Sequence, residues 1–306
     1  MLRKILYIII MLIPGAKISA QVRPFYDQYQ LNGLAINPAY AGSQEALSIA
    51  IAARNQWIGF EGAPRTFTLS IHSPLRDNRA NFGILAVNDK AGSKTETGIL
   101  LNYAYRILLQ NGKLSFGLAA GFNQINTDLE MLRYTDQGDA LIVNPGTSAF
   151  LPEISFGMFY YTDRIFAGLS APDLLNNYIY ESSGKYRVRF NPAKSYLLLY
   201  SGYQFKLSDK YKFVPSMLIN SDAFRRMQID INCSIIYRDK VWLGTGYRTD
   251  KSMSFLLQYQ ANNQLRIAYS YGYELSDLSH YQKGTHEIML LYNFKYQVDV
   301  RSPRYF

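Results

Sequence analysis

Side chains that commonly carry out catalysis or bind metals are few in this sequence and lie far apart. The histidines are His72, His280 and His286, and Cys233 is the single cysteine. A protein zinc site takes three or four such donors. Only His280 and His286 are close in sequence, and a ligand role would need more donors nearby. We therefore predict no metal site and no cofactor site.

A catalytic serine would need a local pattern that places it beside a base. The G-x-S-x-G turn of hydrolases is absent from the sequence, as are phosphate-binding and dinucleotide-binding loops. A Ser–His–acid site built from distant residues stays open on inventory alone, but we predict a non-enzymatic protein. His72 and Cys233 lie on the polar and apolar faces of predicted strands, so both are interpreted as structural residues.

Charged residues leave two further questions open. Asp136 and Asp139 could bind a divalent cation or belong to a solvated loop, and we favour the loop. Six arginines on polar faces could line an anion-favouring channel or pair with acids such as Asp230 and Glu274, and we favour pairing. These arginines are Arg54, Arg106, Arg226, Arg238, Arg248 and Arg266.

The first 20 residues are typical of a cleavable export signal. Arg3 and Lys4 precede the apolar run Ile5–Ile13, and small residues up to Ala20 offer a cleavage site. The apolar run is shorter than the roughly 20 residues of a spanning helix, and no later run is longer. An exported chain with one cysteine forms no internal disulfide, so packing or a membrane must stabilise it.

Composition narrows the class of protein. The formal net charge is +9, and the predicted signal removes Arg3, Lys4 and Lys17 with it. The positive charge that remains is too mild to suggest a nucleic-acid partner. The chain has 26 tyrosines against 2 tryptophans. This enrichment suits the aromatic girdles of an outer-membrane β-barrel.

Apolar and polar residues alternate with a period of two along most of the chain. Between Arg225 and Arg238, the odd positions from Met227 onward are apolar, whereas most even positions are polar or charged. From Leu265 to Glu274, apolar and aromatic residues alternate with polar, charged or small ones. Such strands have one apolar and one polar face and are long enough to cross a bilayer.

About 14 such segments have the length of barrel strands. They begin near Leu47, Arg65, Asn81, Thr95, Lys113, Glu153, Arg164, Ser195, Lys212, Arg225, Lys240, Ser252, Gln264 and Thr285. An even number lets an antiparallel sheet close and removes free edges. Two longer stretches, Asn126–Pro152 and Ala171–Lys194, are predicted to be loops on the cell exterior.

Alternation alone fits two architectures. A soluble sandwich points its apolar faces inward, whereas a membrane barrel points them at lipid. The number and length of the strands, the tyrosines at the ends of apolar rows, and the small and polar opposite faces favour the barrel. The sequence therefore predicts an all-β protein, a single transmembrane antiparallel barrel over residues 45–306.

Residues 21–44 do not alternate and form a separate plug-like segment before the barrel. Within it, Ala35–Ser43 reads AINPAYAGS. Placed behind an export signal and ahead of the strands, this motif resembles the N-terminal signature of the PorP/SprF family of type IX secretion and gliding systems. The resemblance runs to the C-terminus, where Ser302–Phe306 is similar to a recurrent family ending. The segment is predicted either to fill the lumen or to contact periplasmic machinery.

The resemblance implies a protein of the cell outer membrane that supports secretion or surface attachment of partner proteins, often adhesins that serve gliding. The implied partners are exported substrates with a type IX C-terminal domain, secretion machinery proteins and membrane lipid. The family motif supplies no catalytic residue. The interaction candidates carried over from it are Asn37, Pro38, Ala39 and Tyr40.

A diffusion or uptake barrel of the fatty-acid-transporter type is the alternative function. Such a barrel would combine an N-terminal hatch, about 14 strands and a gap or kink that releases a small hydrophobic molecule sideways. Pro215 is the best candidate for a kink, because proline interrupts the hydrogen bonds of a strand.

Overall fold

The computed structural model describes residues 26–76, 78–128, 146–175, 177–179, 186–188, 196–222 and 226–294, and almost all of its elements are strands. The strands are β1 (Leu47–Asn55), β2 (Arg65–Pro74), β3 (Ala80–Ala91), β4 (Lys94–Leu109), β5 (Gly112–Asp128), β6 (Gly146–Tyr161), β7 (Ile165–Ala171), β8 (Asn177–Ile179), β9 (Tyr186–Val188), β10 (Tyr196–Tyr203), β11 (Phe205–Lys206), β12 (Tyr211–Asp222), β13 (Arg226–Tyr237), β14 (Val241–Arg248), β15 (Ser252–Gln260), β16 (Leu265–Glu274) and β17 (Thr285–Phe294). Short 3-10 helices span Gly33–Ala35, Pro38–Tyr40 and Asp277–His280.

The strands form a closed antiparallel ring of 14 members. Neighbours in sequence pair along the ring, β10 pairs with β12, and β17 closes it by pairing with β1. The two-residue β11 is an extra strand against β12, and β8 pairs with β9 outside the ring. The ring confirms the predicted barrel of about 14 strands.

The two faces of the wall differ in chemistry. Leu101, Leu243 and Ile288 point outward with 62%, 59% and 54% of their surface exposed. Inward-facing positions carry buried polar residues such as Asn102 and Glu287. This is the reverse of a soluble sandwich, and it presents an apolar surface to lipid. Within the described ranges, no helix is long and apolar enough to cross a membrane.

Connection length distinguishes the two ends of the barrel. At one end, β4 joins β5 through residues 110–111, β6 joins β7 through 162–164, and β13 joins β14 through 238–240. At the other end, β5 and β6 are separated by residues 129–145, and β16 and β17 by 275–284. Outer-membrane barrels have short periplasmic turns and longer exterior loops. We therefore assign the first end to the periplasm and the second to the cell exterior.

The predicted loop bounds were wrong on both sides of the first long connection. The loop was expected over Asn126–Pro152, but β5 continues to Asp128 and β6 begins at Gly146. Proline usually marks a strand end, yet Pro152 lies within β6. β7 pairs with β6 only over Phe156–Tyr161, so no ladder hydrogen bond to β7 requires an N–H at this position.

Several predictions fall outside the described residues. They concern the export signal over residues 1–20, the acidic pair Asp136 and Asp139, and the tail Ser302–Phe306. The second predicted loop, Ala171–Lys194, is described in part and contains the β8–β9 pair.

Pro215 lies within β12, opposite an interruption in the neighbouring wall. On that side, β12 pairs with β10 from Ser216 onward and with β11 at Lys212 and Phe213. Between β10 and β11, Gln204 is not part of a strand. The proline therefore occupies the point where the partner strand of β12 changes.

Candidate functional site

The chain before β1 forms an inner segment, Tyr26–Ser43, that packs against inward-facing side chains of the barrel. Its residues are almost entirely buried, with Tyr29 and Leu34 each 1% exposed and Asn37 and Ala39 fully buried. Backbone hydrogen bonds within it form only short turns, such as that from the Asn37 N–H to the Gly33 carbonyl. Most of its side-chain polar contacts are made with strands distant in sequence. The inner segment is therefore fixed by the wall around it rather than by regular secondary structure of its own.

The exterior half of the inner segment is held by an ion cluster centred on Asp27. Its carboxylate lies 2.6 Å from the guanidinium of Arg54 on β1 and 2.9 Å from that of Arg248 on β14. Arg54 also lies 3.0 Å from Glu287 on β17, and Arg248 lies 3.2 Å from Asp230 on β13. Four strands on this side of the barrel are thereby connected through one residue of the segment.

Charge compensation keeps Asp27 ionised. Burial alone would raise the pKa of its carboxyl, but the adjacent guanidinium groups of Arg54 and Arg248 hold the pKa below the ordinary value of aspartate. The backbone N–H of Asp27 also donates to Glu287 at 3.2 Å. Each oxygen of the buried Asp27 carboxylate accepts a charge-assisted hydrogen bond from an arginine, Oδ2 from Arg54 and Oδ1 from Arg248.

Asn37 connects the middle of the inner segment to three strands. Its side-chain nitrogen lies 2.9 Å from the carbonyl oxygen of Met158 on β6, 3.2 Å from that of Leu169 on β7, and 3.2 Å from the hydroxyl of Tyr200 on β10. Its side-chain oxygen accepts from the backbone N–H of Ala39 at 2.9 Å and so caps the 3-10 helix Pro38–Tyr40. An amide is the group that can both donate outward and accept locally.

Two glycines allow the 3-10 helix Pro38–Tyr40 to approach the wall. Gly117 on β5 and Gly157 on β6 are opposite each other in register. A Cβ atom at Gly117 would overlap the backbone between Pro38 and Ala39, and one at Gly157 would overlap the side chain of Asn37. The inner segment and the strands therefore meet with backbone against backbone.

The periplasmic half is fixed near the start of the barrel. The backbone N–H of Gly42 donates to Nδ1 of His72 at 3.1 Å, and its carbonyl accepts from Arg106 at 2.6 Å. The ring of Tyr40 packs edge-on against His72, with 5.6 Å between ring centroids. His72 is thus a buried residue that accepts a structural hydrogen bond, as the sequence indicated.

Two cavities lie on opposite sides of the inner segment. The exterior-side cavity has a volume of about 140 Å³ and is lined by the segment at Leu34–Pro38 and by β3–β7, β10 and β12. The periplasm-side cavity has a volume of about 270 Å³, and aromatic side chains make up nearly half of its lining. These are Tyr29, Tyr40, Phe159, Tyr161, Phe166, Tyr200 and Trp242.

The structure brings the four motif residues together in the part of the inner segment that lies between these cavities. Asn37 and Pro38 line the exterior-side cavity, whereas Tyr40 lines the periplasm-side cavity. Ala39 is fully buried against the barrel. The motif was recognised from its sequence, but its position between the cavities was not predicted.

The predicted arginine pairing is observed at Arg54 and Arg248, as described above. Arg106 instead donates to a backbone carbonyl, and the guanidinium of Arg266 lies 4.0 Å from the ring centroid of Trp242. Glu274, expected to pair with an arginine, accepts from the indole N–H of Trp57 at 3.1 Å. Arg238 was placed on a strand face but lies in the turn after β13.

Sequence reasoning missed Asp27 as the centre of the ion cluster. A partial signal was present in Arg54 and Arg248, two arginines at inward-facing strand positions. The non-alternating segment gives no register, however, so its one acid could not be assigned to particular arginines.

Comparison with solved structures shows a general likeness in fold. The CymD monoaromatic hydrocarbon channel superposes with a TM-score of 0.55 at 12% identity, covering 87% of this chain and 93% of that one. The outer-membrane protein Omp33 of Acinetobacter baumannii gives a TM-score of 0.48 at 5% identity over 82% of this chain and 99% of its own. At 12% identity, the likeness to the CymD channel shows the barrel fold alone.

Sequence comparison is more specific. No curated protein matches the chain. The family described as "Type IX secretion system membrane protein PorP/SprF" matches residues 18–292, which is most of the chain and includes the inner segment and nearly all of the barrel. With its outward apolar surface and closed ring of strands, this outer-membrane barrel protein belongs to the PorP/SprF family.

Proposed function

We propose that the protein is a non-enzymatic component of the type IX secretion system that supports secretion or surface attachment of partner proteins, adhesins in particular. The observation that carries this proposal is the family match over residues 18–292. The expected partners are machinery proteins and exported substrates with a type IX C-terminal domain. The export signal is expected to be cleaved near Ala20.

In this proposal, residues 21–44 act as a functional unit distinct from the barrel of residues 45–306. The inner segment separates the two cavities and closes the lumen to free passage. The buried contacts of Asn37, Ala39 and Gly42 support this role, because they hold the segment by hydrogen bonds and close packing at several levels of the barrel.

The periplasm-side cavity is the surface that a periplasmic partner would meet. Tyr40 contributes to it beside Phe159 and Trp242. Aromatic side chains bury large areas at interfaces at low entropic cost. The motif would therefore act on a partner through Tyr40 directly and through Asn37 by fixing the position of the Pro38–Tyr40 turn.

An affinity capture from mild-detergent outer membranes tests this role. The wild-type protein, Asn37→Ala and Tyr40→Ala would each be tagged, captured and analysed by mass spectrometry, and adhesin at the cell surface would be measured in parallel. We expect the wild type to recover a type IX substrate or machinery protein and both variants to recover less. The physical reason is that Tyr40→Ala removes an aromatic ring that lines the periplasm-side cavity. Asn37→Ala leaves buried carbonyl oxygens without one of their hydrogen-bond donors.

Tyr247→Ala is the matched control, because Tyr247 is 46% exposed on the outward face of β14. It removes the same atoms without touching the inner segment. Partner capture and surface adhesin at wild-type levels in folded Asn37→Ala and Tyr40→Ala would contradict the proposed role of the motif.

Uptake of small hydrophobic molecules is a second candidate, favoured by the apolar part of the exterior-side cavity. Leu34, Leu85 and Leu218 line it, and Pro215 lies at the change of partner strands. Passage would require displacement of the inner segment. Flux of a hydrocarbon into vesicles containing the protein, with no protein partner recovered in the capture experiment, would favour this function over the first.

A further inference from the structure

The exterior-side cavity has the size of a ligand site for one ring. A protein cavity of about 150 Å³ accommodates benzene, and this one has a volume of about 140 Å³. Its apolar lining comes from both the inner segment and the wall, including Leu34, Leu85, Leu100 and Leu218. Leu34 and Leu218 are 1% and 2% exposed, so this lining is set by close packing.

The charged residues that line the same cavity are all acidic among the residues described. Asp89 on β3 and Glu96 on β4 are opposite each other in register. Asp89 accepts from the hydroxyl of Thr66 at 2.6 Å, and Glu96 lies 2.8 Å from the ammonium of Lys94. That lysine side chain is 47% exposed, so its compensation of the two carboxylates is screened by solvent.

A second and independent observation comes from the opposite side of the cavity. Ser170 on β7 is fully buried, lines the cavity, and has no hydrogen-bond partner for its hydroxyl among the described residues. The side-chain oxygen of Asn220 on β12 is likewise buried without a partner there. Both residues lie opposite Leu198 of β10, so the two groups are at one level of the wall.

Buried polar atoms without a partner cost free energy until they are hydrogen-bonded. The two atoms without a partner are the amide oxygen of Asn220, which is an acceptor, and the hydroxyl of Ser170, which can also accept. The three carboxylates that line the cavity, those of Asp89, Glu96 and Glu153, are further acceptors. A ligand that satisfies the two unpartnered atoms must carry donors, and the carboxylates that line the same cavity favour a positive charge.

We propose that the exterior-side cavity binds a small organic cation, consisting of a primary ammonium group on a compact apolar body of one ring. The apolar body packs against the leucines, and the ammonium hydrogens are directed to the acceptors. This site is separate from the proposed secretion role, since it depends neither on Tyr40 nor on a protein partner.

Isothermal titration calorimetry on the purified full-length protein in detergent tests the site. The probes are 2-phenylethylamine, which is a cation at neutral pH, and phenylacetate, which has the same ring and a negative charge. We expect saturable binding of the amine and binding of the acid that is weaker by about tenfold or more, which corresponds to about 1.4 kcal/mol. Equal binding of both probes, or no saturable binding of the amine, would overturn the proposal.

Variants locate the binding within the cavity. Asp89→Asn combined with Glu96→Gln should reduce the preference for the amine by about tenfold, a loss of about 1.4 kcal/mol. Ser170→Leu should abolish binding of the amine by filling the cavity. Asp209→Asn is the matched control, because it removes a carboxylate that is 93% exposed in a periplasmic turn.

Each protein would first be checked for the heat-dependent shift in gel mobility of a folded barrel. Amine affinity unchanged in folded Ser170→Leu would place the ligand elsewhere and refute the site. Charge preference unchanged in the neutralised double variant would refute the role assigned to the carboxylates.

Discussion

At the scale of single residues, Asp27 is the side chain whose replacement should lower the stability of the protein most. Asp27→Asn would leave the guanidinium groups of Arg54 and Arg248 buried with one fewer counter-charge. Breaking a buried ion pair from one side costs about 3–5 kcal/mol. We expect the variant to lose its folded gel band at a lower temperature than the wild type. The control Asp209→Asn should not, and equal transitions for all three proteins would contradict this prediction.

The same cluster predicts a dependence on pH. The pKa of Asp27 is lowered in the folded protein, so its ionised form stabilises the fold at neutral pH. That contribution is present above the ordinary aspartate pKa of about 4 and is lost as the pH falls toward the lower folded value. Thermal transitions measured from neutral to acidic pH should fall more steeply for the wild type than for Asp27→Asn. Parallel pH profiles would argue against the assignment.

The position of a residue could be predicted from the sequence where it followed the alternating pattern, but not where it depended on tertiary contacts. Cys233 was placed on an apolar row, and it lies between the outward-facing Ile231 and Ile235. The contacts of Asn37 with β6, β7 and β10 had no counterpart in local sequence. They depend on where a non-repeating segment lies inside a closed ring, and alternation carries no information about that.

At the scale of elements, the contact between the 3-10 helix Pro38–Tyr40 and strands β5 and β6 should tolerate no added side chain. Gly117→Val would place atoms in the backbone of Pro38 and Ala39. We expect the variant to form a barrel but to expose the inner segment to added protease. Ala120→Val is the matched control, because it adds similar volume on the outward face of the same strand.

Proteolysis of wild type, Gly117→Val and Ala120→Val in detergent, followed by mass spectrometry of the released peptides, would measure this exposure. Release of the inner segment from Gly117→Val alone would support the prediction. Equal protection in all three proteins would contradict the prediction, because it would show that the barrel strands move to accommodate the valine while the inner segment keeps its position.

Strand positions were largely predictable because the alternation extends over nearly every strand of the ring. The ends of β5 and β6 were not, since proline and acidic residues suggested that β5 ends earlier and β6 begins later than observed. Proline is excluded from a strand only where the missing N–H is needed for pairing. Whether it is needed depends on the length of the neighbouring β7, which local sequence does not give.

At the scale of the whole molecule, the outward surface should behave as a lipid-facing surface. Leu101 lies near the middle of β4 and is 62% exposed, whereas Leu207 is 63% exposed in a periplasmic turn. Leu101→Arg should destabilise the inserted barrel by about 2–4 kcal/mol, the cost of arginine at the bilayer midplane. Leu207→Arg should change stability little. Unfolding in urea from lipid vesicles would measure both, and equal effects would contradict the assigned membrane position.

The ion cluster also links docking of the inner segment to closure of the barrel. Arg54 and Glu287 are register partners on the first and last strands, so they meet only when the ring closes. Asp27 bonds to both of them. An inner segment already in place would therefore offer the final strand a charged partner at the seam, whereas an empty ring would close with Arg54 and Glu287 alone. We therefore expect docking of the segment and completion of the barrel to be cooperative, and a chain without the segment to close more slowly.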